Sequence, residues 1–486
     1  MRTLSLLCIC LYAATTAFAQ KPATKDGYEL KFQIKGLQPG KAVLAYYYGN
    51  KQYIKDSARV DVEGRFAFKG TGKLDRGIYL AVMPPDNKYF EVVVADEQNL
   101  NMQSDTGAAL IDHMKVTGSR ENQLFYDYMR YIGDMKKESD PHRKVLDKFH
   151  ADSAHDHKAE PAYKAAEAEL ERIDKEVKEY KNNFIAKNPT AFMAKVFKAS
   201  REPEVPEAPL LPDGKKDSTF AYRWYKQHYW DDIDLTDDGI LRTPVFHQKL
   251  ETFFNKVVIQ IPDSINAEVD RFVPKVKGNK DLFKYTAYWV TSSFETSKQM
   301  GMEAVFVHMA KTYYMTGQAF WVDSTTLGKI ADRAMKLDPI LIGKVAPNLV
   351  MRDTTGAFKF MHGIKADYTF LCFWDPGCGH CKKVVPVLKE VNDKLKQQYN
   401  TEVFGVCTVN ELEEWKKFII DKKLNWINVH DPQNQTRFKD LYDIYSTPVI
   451  YILDKEKRII AKRIAPEDIE DFMRRYSKNP MKFNSK

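Results

Sequence analysis

Cysteine is scarce in this sequence, with six residues among 486. Cys8 and Cys10 fall in an apolar N-terminal segment, and the other four lie between residues 372 and 407. Small exported proteins that are stabilised by disulfides carry many cysteines, spread along the chain and paired. The scarcity and the clustering exclude such a scaffold and indicate redox chemistry at one place in the chain.

Long apolar runs and a strong excess of one charge are also missing. No segment approaches the ~20 apolar residues that a membrane-spanning helix needs, so the mature protein is not predicted to span a membrane. The 74 basic and 66 acidic residues are interspersed, and the net charge of +8 includes no long basic tract. This distribution argues against nucleic-acid binding.

Metal and cofactor motifs are not found either. A zinc site needs four ligands at suitable spacing, and the pair Cys378 and Cys381 has no second such pair. One group of histidines and aspartates is better interpreted as a solvated linker between helices: His150, Asp152, His155, Asp156 and His157. The sequence therefore predicts no metal and no cofactor.

The N-terminus has the composition of a secretory signal peptide. Arg2 precedes an apolar run from Leu4 to Ala14, and the small-residue segment Ala17-Phe18-Ala19 follows. We expect residues 1–19 to be removed and the protein to reach the periplasm of a Gram-negative bacterium. The residues before the two N-terminal cysteines differ from those of lipid-attachment sites, so a lipoprotein is not predicted.

The length predicts a multidomain protein, because a single hydrophobic core rarely exceeds about 250 residues. Residues 28–118 alternate short apolar strands with turns and predict a β-sandwich. Residues 119–341 carry helical stripes, such as Tyr163 to Phe184, and predict an all-α region divided by a proline-rich loop from Glu202 to Pro212. Residues 342–480 alternate strands with helices, which predicts an α/β domain with a parallel sheet.

Two antiparallel hairpins are predicted from turn residues between apolar runs. Glu63-Gly64 separates Val60–Val62 from Arg65–Phe68 in the sandwich region. Val449–Leu453 and Ile459–Arg463 form the second pair, in the C-terminal domain.

Cys378 and Cys381 open a predicted helix directly after the predicted strand Thr369–Trp374. A thiol at a helix N-terminus faces unpaired backbone amides and the positive end of the helix dipole, so we expect Cys378 to be partly ionised at neutral pH. Cys381, one turn later, should be shielded. Thiol–disulfide exchange requires such an exposed attacking thiolate and a second thiol that resolves the mixed disulfide. His380, between the two cysteines, adds a donor near the thiolate.

The segment Trp374-Asp375-Pro376-Gly377-Cys378-Gly379-His380-Cys381-Lys382-Lys383, with Thr447-Pro448 before a later strand, resembles the thioredoxin superfamily. The resemblance is strongest to exported TlpA- and ResA-like thiol–disulfide oxidoreductases, whose entry segment matches Gly343–Leu349. It implies a thioredoxin fold, catalytic Cys378 and Cys381, and supporting roles for Trp374, Gly379 and His380. It also implies that Pro448 is cis beside the cysteines and that the backbone around Thr447 binds the substrate chain as an added strand.

The same resemblance implies the partners. Protein disulfides or thiols would be the substrates, and a reductase would also need a membrane thiol electron donor, because the periplasm is kept oxidising. The Cys-Gly-His-Cys tetrad is also that of protein disulfide isomerase, so reductase and isomerase both stay open. The β-sandwich resembles the domain that precedes such redox domains in many exported bacterial oxidoreductases.

The sequence departs from these relatives at two positions. Cys372 stands where thioredoxin has a buried acid that helps to deprotonate the second thiol, and Val384 stands where ResA-like reductases have a glutamate. The proton-transfer group for Cys381 is therefore left unassigned, as are the oligomeric state and the role of residues 119–341. A regulatory disulfide between Cys372 and Cys407 is an open alternative.

A second hypothesis concerns the whole chain. The protein would be a binding or assembly factor whose sandwich and helical regions carry the function, with an accessory redox domain. Replacing Cys378 separates the two hypotheses.

Overall fold

The computed structural model describes residues 27–107, 110–151 and 157–481. The predicted signal peptide and the predicted linker residues Asp152, His155 and Asp156 lie outside the described residues. Among the described residues, no helix combines the length and the apolar character needed to cross a membrane. The chain divides into two compact units. The first comprises Met1–Glu202, Trp230–Asp234 and Gly239–His247, and the second comprises Pro203–Tyr229, Leu235–Asp238 and Gln248–Lys486.

The first unit contains two sheets, each with four of the described strands, in the orders β4-β1-β7-β8 and β3-β2-β5-β6. Alternating buried and exposed side chains mark β1, as expected for a strand with one face in a core. Phe32 of β1 packs against Phe90 of β6 with 5.5 Å between ring centroids, so the two sheets share a core. The strands are β1 (Tyr28–Lys35), β2 (Gly40–Tyr48), β3 (Lys51–Val60), β4 (Arg65–Gly70), β5 (Gly77–Met83), β6 (Lys88–Val94), β7 (Asn99–Asp105) and β8 (Lys115–Thr117).

The hairpin predicted at Glu63-Gly64 is wrong. β4 pairs with β1, whereas β3 pairs with β2 in the other sheet, so the turn carries the chain between sheets. Asp61 Oδ1 accepts hydrogen bonds from the amides of Glu63 and Arg65 at 2.9 and 2.8 Å and closes the turn. Gly64 has a φ of 71°, and a Cβ there would lie 2.0 Å from the Ile34 carbonyl oxygen, so the turn requires glycine.

The central region is helical, and its helices are distributed over both units. On α2 the predicted stripe is buried at Tyr163, Ala166, Ile173 and Phe184, as expected for core packing. The first long segment of unit one ends at Glu202, where the predicted proline-rich loop begins. The helices are α1 (Arg120–Ala151), α2 (Pro161–Lys187), α3 (Phe192–Ala199), α4 (Phe220–His228), α5 (Pro244–Thr252), α6 (Pro262–Val276), α7 (Lys280–Glu295), α8 (Glu303–Met309) and α9 (Ser324–Leu337).

The second unit contains a sheet of seven described strands in the order β10-β9-β13-β12-β11-β14-β15. β11, β12 and β13 are parallel neighbours, and β14 forms the predicted antiparallel hairpin with β15. The short strands β9 and β10 were not predicted, because runs of four and three residues are too short to establish an alternating pattern. The strands are β9 (Val350–Asp353), β10 (Phe358–Phe360), β11 (Tyr368–Trp374), β12 (Thr401–Cys407), β13 (Ile427–His430), β14 (Val449–Leu453) and β15 (Ile459–Lys462).

Helices cover both faces of this sheet. Successive side chains of β11 point to opposite faces. On one face Leu371 and Phe373 share a core with Phe306 of α8 and Leu337 of α9. On the other face Trp374 belongs to the core formed with α10 (Gly379–Tyr399), α11 (Leu412–Asp421) and α13 (Pro466–Lys478), and a short helix, α12 (Phe438–Leu441), precedes β14. The predicted fold class, with an N-terminal sandwich, central helices and a C-terminal α/β domain, is confirmed.

A buried ion pair also joins α8 to the sheet. Lys462 of β15 is 5% exposed, its Nζ lies 2.8 Å from the Glu303 carboxylate, and it donates to the Ile340 carbonyl at 3.0 Å. Burial lowers the pKa of Lys462 below its usual value. The positive charge of Lys462 is therefore stabilised by the Glu303 carboxylate.

Replacing Glu303 by glutamine should lower the free energy of unfolding by about 3 kcal/mol, because a buried ammonium loses its counter-charge. Urea denaturation followed by circular dichroism measures this change. The matched control is Glu470→Gln, which breaks the exposed pair with Lys394 (2.6 Å) and should cost less than about 1 kcal/mol. Equal effects of the two variants would contradict the buried role of Glu303.

Candidate active site

The two clustered cysteines lie at the carboxyl end of β11. The strand ends at Trp374, a loop follows, and Cys378 is the N-cap residue of α10. Asp375 holds the loop, since its Oδ1 accepts from the Gly377 amide at 2.7 Å and its own amide donates to Cys381 Sγ at 3.4 Å. Both cysteines are free thiols in the described chain. Cys378 is partly exposed and Cys381 is fully buried, so the two sulfurs have different environments.

Backbone amides at the start of α10 act on the Cys378 sulfur. The amides of Cys381 and His380 point at it and hold the pKa of Cys378 below its ordinary value, against the opposing effect of partial burial. Helix N-termini stabilise anions in this way, because their first amides have no partner within the helix. Cys378 is thus the thiol that ionises first.

Cys381 has the opposite character. Burial raises the pKa of Cys381 to about 11. Cys372 packs in the same core cluster, and burial raises the pKa of its thiol well above the ordinary range. Neither buried thiol ionises readily at neutral pH, so Cys381 becomes a nucleophile only when a proton acceptor reaches it.

The loop before β14 meets the exposed thiol. The Thr447–Pro448 peptide bond is cis, and both residues are half-buried. The Cys378 thiol donates to the Thr447 carbonyl oxygen at a sulfur–oxygen distance of 3.7 Å. The structure therefore brings together four of the predicted site residues: Cys378, Cys381, Thr447 and Pro448.

The three predicted supporting residues are placed differently. His380 contributes its backbone amide to the Cys378 sulfur, while its side chain is exposed. A Cβ on Gly379 would meet nothing within 4 Å, so neighbouring atoms do not require glycine there. Trp374 is fully buried and packs on Phe418 with 5.0 Å between ring centroids. Trp374 contacts the site from the buried core that lies beneath the loop between β11 and α10.

Asp375 is a site residue that the sequence interpretation missed. Its side chain closes the turn before Cys378 and its amide reaches Cys381. The signal was present, because Asp-Pro-Gly is a turn composition in which the aspartate accepts from an amide two residues later.

The other two strand cysteines lie on the same face of the sheet. Cys372 is opposite Gly405, two residues before Cys407. The Cys407 thiol donates to the Val409 carbonyl at 3.4 Å, and burial raises the pKa of Cys407 to about 12. Both are free thiols in the described chain, so the disulfide considered above is not formed in this structure.

The described part of the histidine-rich linker shows ordinary polar contacts. His157 Nδ1 lies 2.5 Å from a Glu160 carboxylate oxygen, and His150 stands near the end of α1. Within residues 27–107, 110–151 and 157–481, no three His, Cys, Asp or Glu side chains are grouped to hold a metal ion.

Three family profiles match this chain. One described as thioredoxin-like matches residues 366–459, and two described as domains of unknown function match residues 28–125 (DUF4369) and 164–336 (DUF5106).

Individual proteins match between about a quarter and a third of the chain. Thiol-disulfide oxidoreductase ResA of Bacillus cereus is 26% identical over 129 residues, which cover 26% of this chain and 73% of that protein. ResA of Bacillus subtilis is 27% identical over 118 residues, which cover 24% of this chain and 64% of that protein. A solved domain of a possible thiol-disulfide isomerase from Cytophaga hutchinsonii is 48% identical, covers 29% of this chain and 95% of its own, and has a TM-score of 0.28. Through its C-terminal domain, this chain therefore belongs to the thioredoxin-like thiol–disulfide oxidoreductases.

Proposed function

We propose that the protein exchanges disulfides with exported protein substrates in the periplasm, with Cys378 as the attacking thiol and Cys381 as the resolving thiol. The observation that carries this proposal is the asymmetry of the pair. Cys378 is partly exposed at the start of α10 under two backbone amides, and Cys381 is buried one turn later. The sequence of residues 1–19 supports the periplasmic location.

The exchange proceeds in two displacements, described here in the reducing direction. The Cys378 thiolate attacks one sulfur of the substrate disulfide, forms a mixed disulfide with it, and releases the other substrate sulfur as a thiolate. Cys381 then loses its proton and attacks Cys378 Sγ, which breaks the mixed disulfide and releases the second substrate sulfur. The substrate gains two electrons and the Cys378–Cys381 pair loses them.

The main chain at Thr447 would position the substrate. Its carbonyl oxygen is 3.7 Å from Cys378 Sγ, so an extended segment that pairs with this backbone would carry its own disulfide past the attacking sulfur. Pairing through main-chain groups tolerates many side chains, as recognition of varied protein substrates requires.

The direction of exchange depends on the reduction potential of the pair. Equilibration with glutathione buffers, followed by quantification of the oxidised pair, measures it. A value near about −270 mV, as in thioredoxin, indicates a reductase that draws electrons from a membrane thiol donor, whereas about −180 mV indicates an isomerase.

The attacking role is tested by the pH dependence of alkylation of the reduced full-length chain. Because helix amides hold the pKa of Cys378 below its ordinary value, labelling by iodoacetamide should reach half its maximal rate below pH ~8.5, the value for a free peptide thiol. Reactivity should be present above this midpoint and lost as the pH falls through it.

Peptide mapping by mass spectrometry identifies the labelled residue. Cys381, with its pKa raised to about 11, serves as the internal control and should stay unlabelled at neutral pH. A midpoint for Cys378 at or above that of a free thiol would overturn the proposed role.

A further inference from the structure

The loop that carries Pro448 is tied to the helical region that precedes the C-terminal domain. We name residues Tyr442–Pro448 the Pro448 loop. Asp443 in this loop is 2% exposed, and its carboxylate pairs with Arg333 of α9. Arg463, which follows β15, lies 3.4 Å from the same carboxylate and donates to the Asp443 carbonyl oxygen at 2.8 Å. Two guanidinium groups thus surround one buried carboxylate.

Arg333 makes a second contact with the Pro448 loop. Its guanidinium carbon lies 5.6 Å from the centre of the Tyr445 ring, within the range of a cation–π interaction. Tyr445 is 73% exposed and stands two residues before Thr447. One arginine therefore contacts both the buried and the exposed side of the loop.

Two features of the Pro448 loop are unfavourable by themselves and are offset by the contacts of Arg333 and Arg463 with Asp443. Asp443 has a φ of 54°, in the left-handed region that a residue with a side chain adopts at a cost of about 1 kcal/mol or more. A carboxylate removed from water is also unfavourable unless charged groups pair with it. Without Arg333, Asp443 would keep one charged partner, and the loop would lose its ion pair with α9.

The helix that carries Arg333 is firmly held. Ala334 and Leu337 of α9 are buried and share a core with Tyr451 of β14. The Tyr451 hydroxyl donates to the Tyr442 carbonyl at 2.8 Å, so the first residue of the loop is tied to the same core. Arg333 therefore extends from a rigid support to the middle of the loop.

We propose that Arg333 is a positioning residue for the protein substrate. Through Asp443 and Tyr445 it holds the Pro448 loop in the conformation that places Thr447 against Cys378, and the exposed Tyr445 ring contacts the bound polypeptide. This inference rests on the proposed function, and it assigns the helices before the C-terminal domain a part in substrate recognition.

The test compares two disulfide substrates with the full-length chain. Insulin presents a polypeptide to the Pro448 loop, whereas hydroxyethyl disulfide needs only the Cys378 sulfur. Arg333→Gln should raise the KM for insulin about tenfold, since small displacements of positioning groups have effects of this size or larger. The rate with hydroxyethyl disulfide should stay within about twofold, because the backbone amides of Cys381 and His380, which lower the pKa of Cys378, belong to α10 and do not depend on Arg333.

Control variants separate this role from general effects of charge. Lys329→Gln removes one positive charge from an exposed position one turn earlier on α9 and should leave the KM for insulin unchanged. Arg333→Lys keeps the charge but loses the planar fork that pairs with a carboxylate, so partial rescue is expected. Tyr445→Leu alters an exposed ring without disturbing a buried charge and should also raise the KM for insulin alone.

The outcomes distinguish a failure of the proposed disulfide exchange from a failure of the positioning role of Arg333. If the wild-type chain reduces neither substrate, the proposed function fails whatever Arg333 does. If the wild type is active and Arg333→Gln leaves the KM for insulin unchanged, or reduces both activities equally, the positioning role is refuted. Should Arg333→Gln fail to fold, Tyr445→Leu decides: a selective rise in KM for insulin supports the inference, and no rise overturns it.

Discussion

Cys378→Ser is expected to abolish disulfide exchange, with the rate of insulin reduction falling by a factor on the order of 10³ or more. The serine hydroxyl does not ionise near neutral pH, so the amides of His380 and Cys381 would have no anion to stabilise. Turbidity caused by the released insulin chains, with dithiothreitol as the reductant, measures the loss.

The matched control is Cys407→Ala, which removes a free thiol from the same sheet and should keep the rate within about twofold, because this buried cysteine packs as a small apolar side chain. Substantial exchange by the Cys378 variant would contradict its role as nucleophile. A cellular phenotype of the gene deletion that Cys378→Ser fails to reproduce would favour the binding or assembly hypothesis.

Cys381→Ser is expected to stop the reaction after its first step. Cys378 keeps its place at the start of α10, so attack on a substrate disulfide continues, but no second thiol is present to break the mixed disulfide. Substrate should then accumulate as a covalent adduct through Cys378. Non-reducing electrophoresis and mass spectrometry detect the adduct, and dithiothreitol should release it.

The wild-type chain and the double variant Cys378→Ser/Cys381→Ser are the controls for trapping. Neither should accumulate adduct, because the first resolves it and the second cannot form it. An adduct attached through Cys372 or Cys407 would overturn the assignment. The partners recovered on Cys378 would identify the proteins that this oxidoreductase meets in the cell.

The helix α10 shows which features of the site can be predicted from the local sequence. The two cysteines were predicted to open a helix directly after the strand Thr369–Trp374, and α10 begins at Gly379 and ends at Tyr399. The different environments of the two thiols follow from their positions in the first turn, because the free amides and the burial of the second position are properties of any helix that packs on a sheet.

The sheet to which each strand belongs was harder to predict from the sequence. The residues around Glu63-Gly64 have the composition of a hairpin turn, yet the strands on either side belong to different sheets. A turn sequence specifies a local change of direction, whereas the pairing of a strand depends on which partner offers a complementary apolar face.

The location of the chemistry follows from local sequence, since the spacing of the cysteines, their position at the start of a helix and the strand before them are all encoded within a few neighbouring residues. The surroundings of that site, in contrast, depend on the packing of elements that are distant in the chain. The tertiary structure placed α8 and α9 on one face of the sheet and joined Arg333 to Asp443, 110 residues further along the chain. An ion pair between residues so far apart in the chain leaves no periodic pattern in the sequence, because the two charges meet only when distant elements pack together.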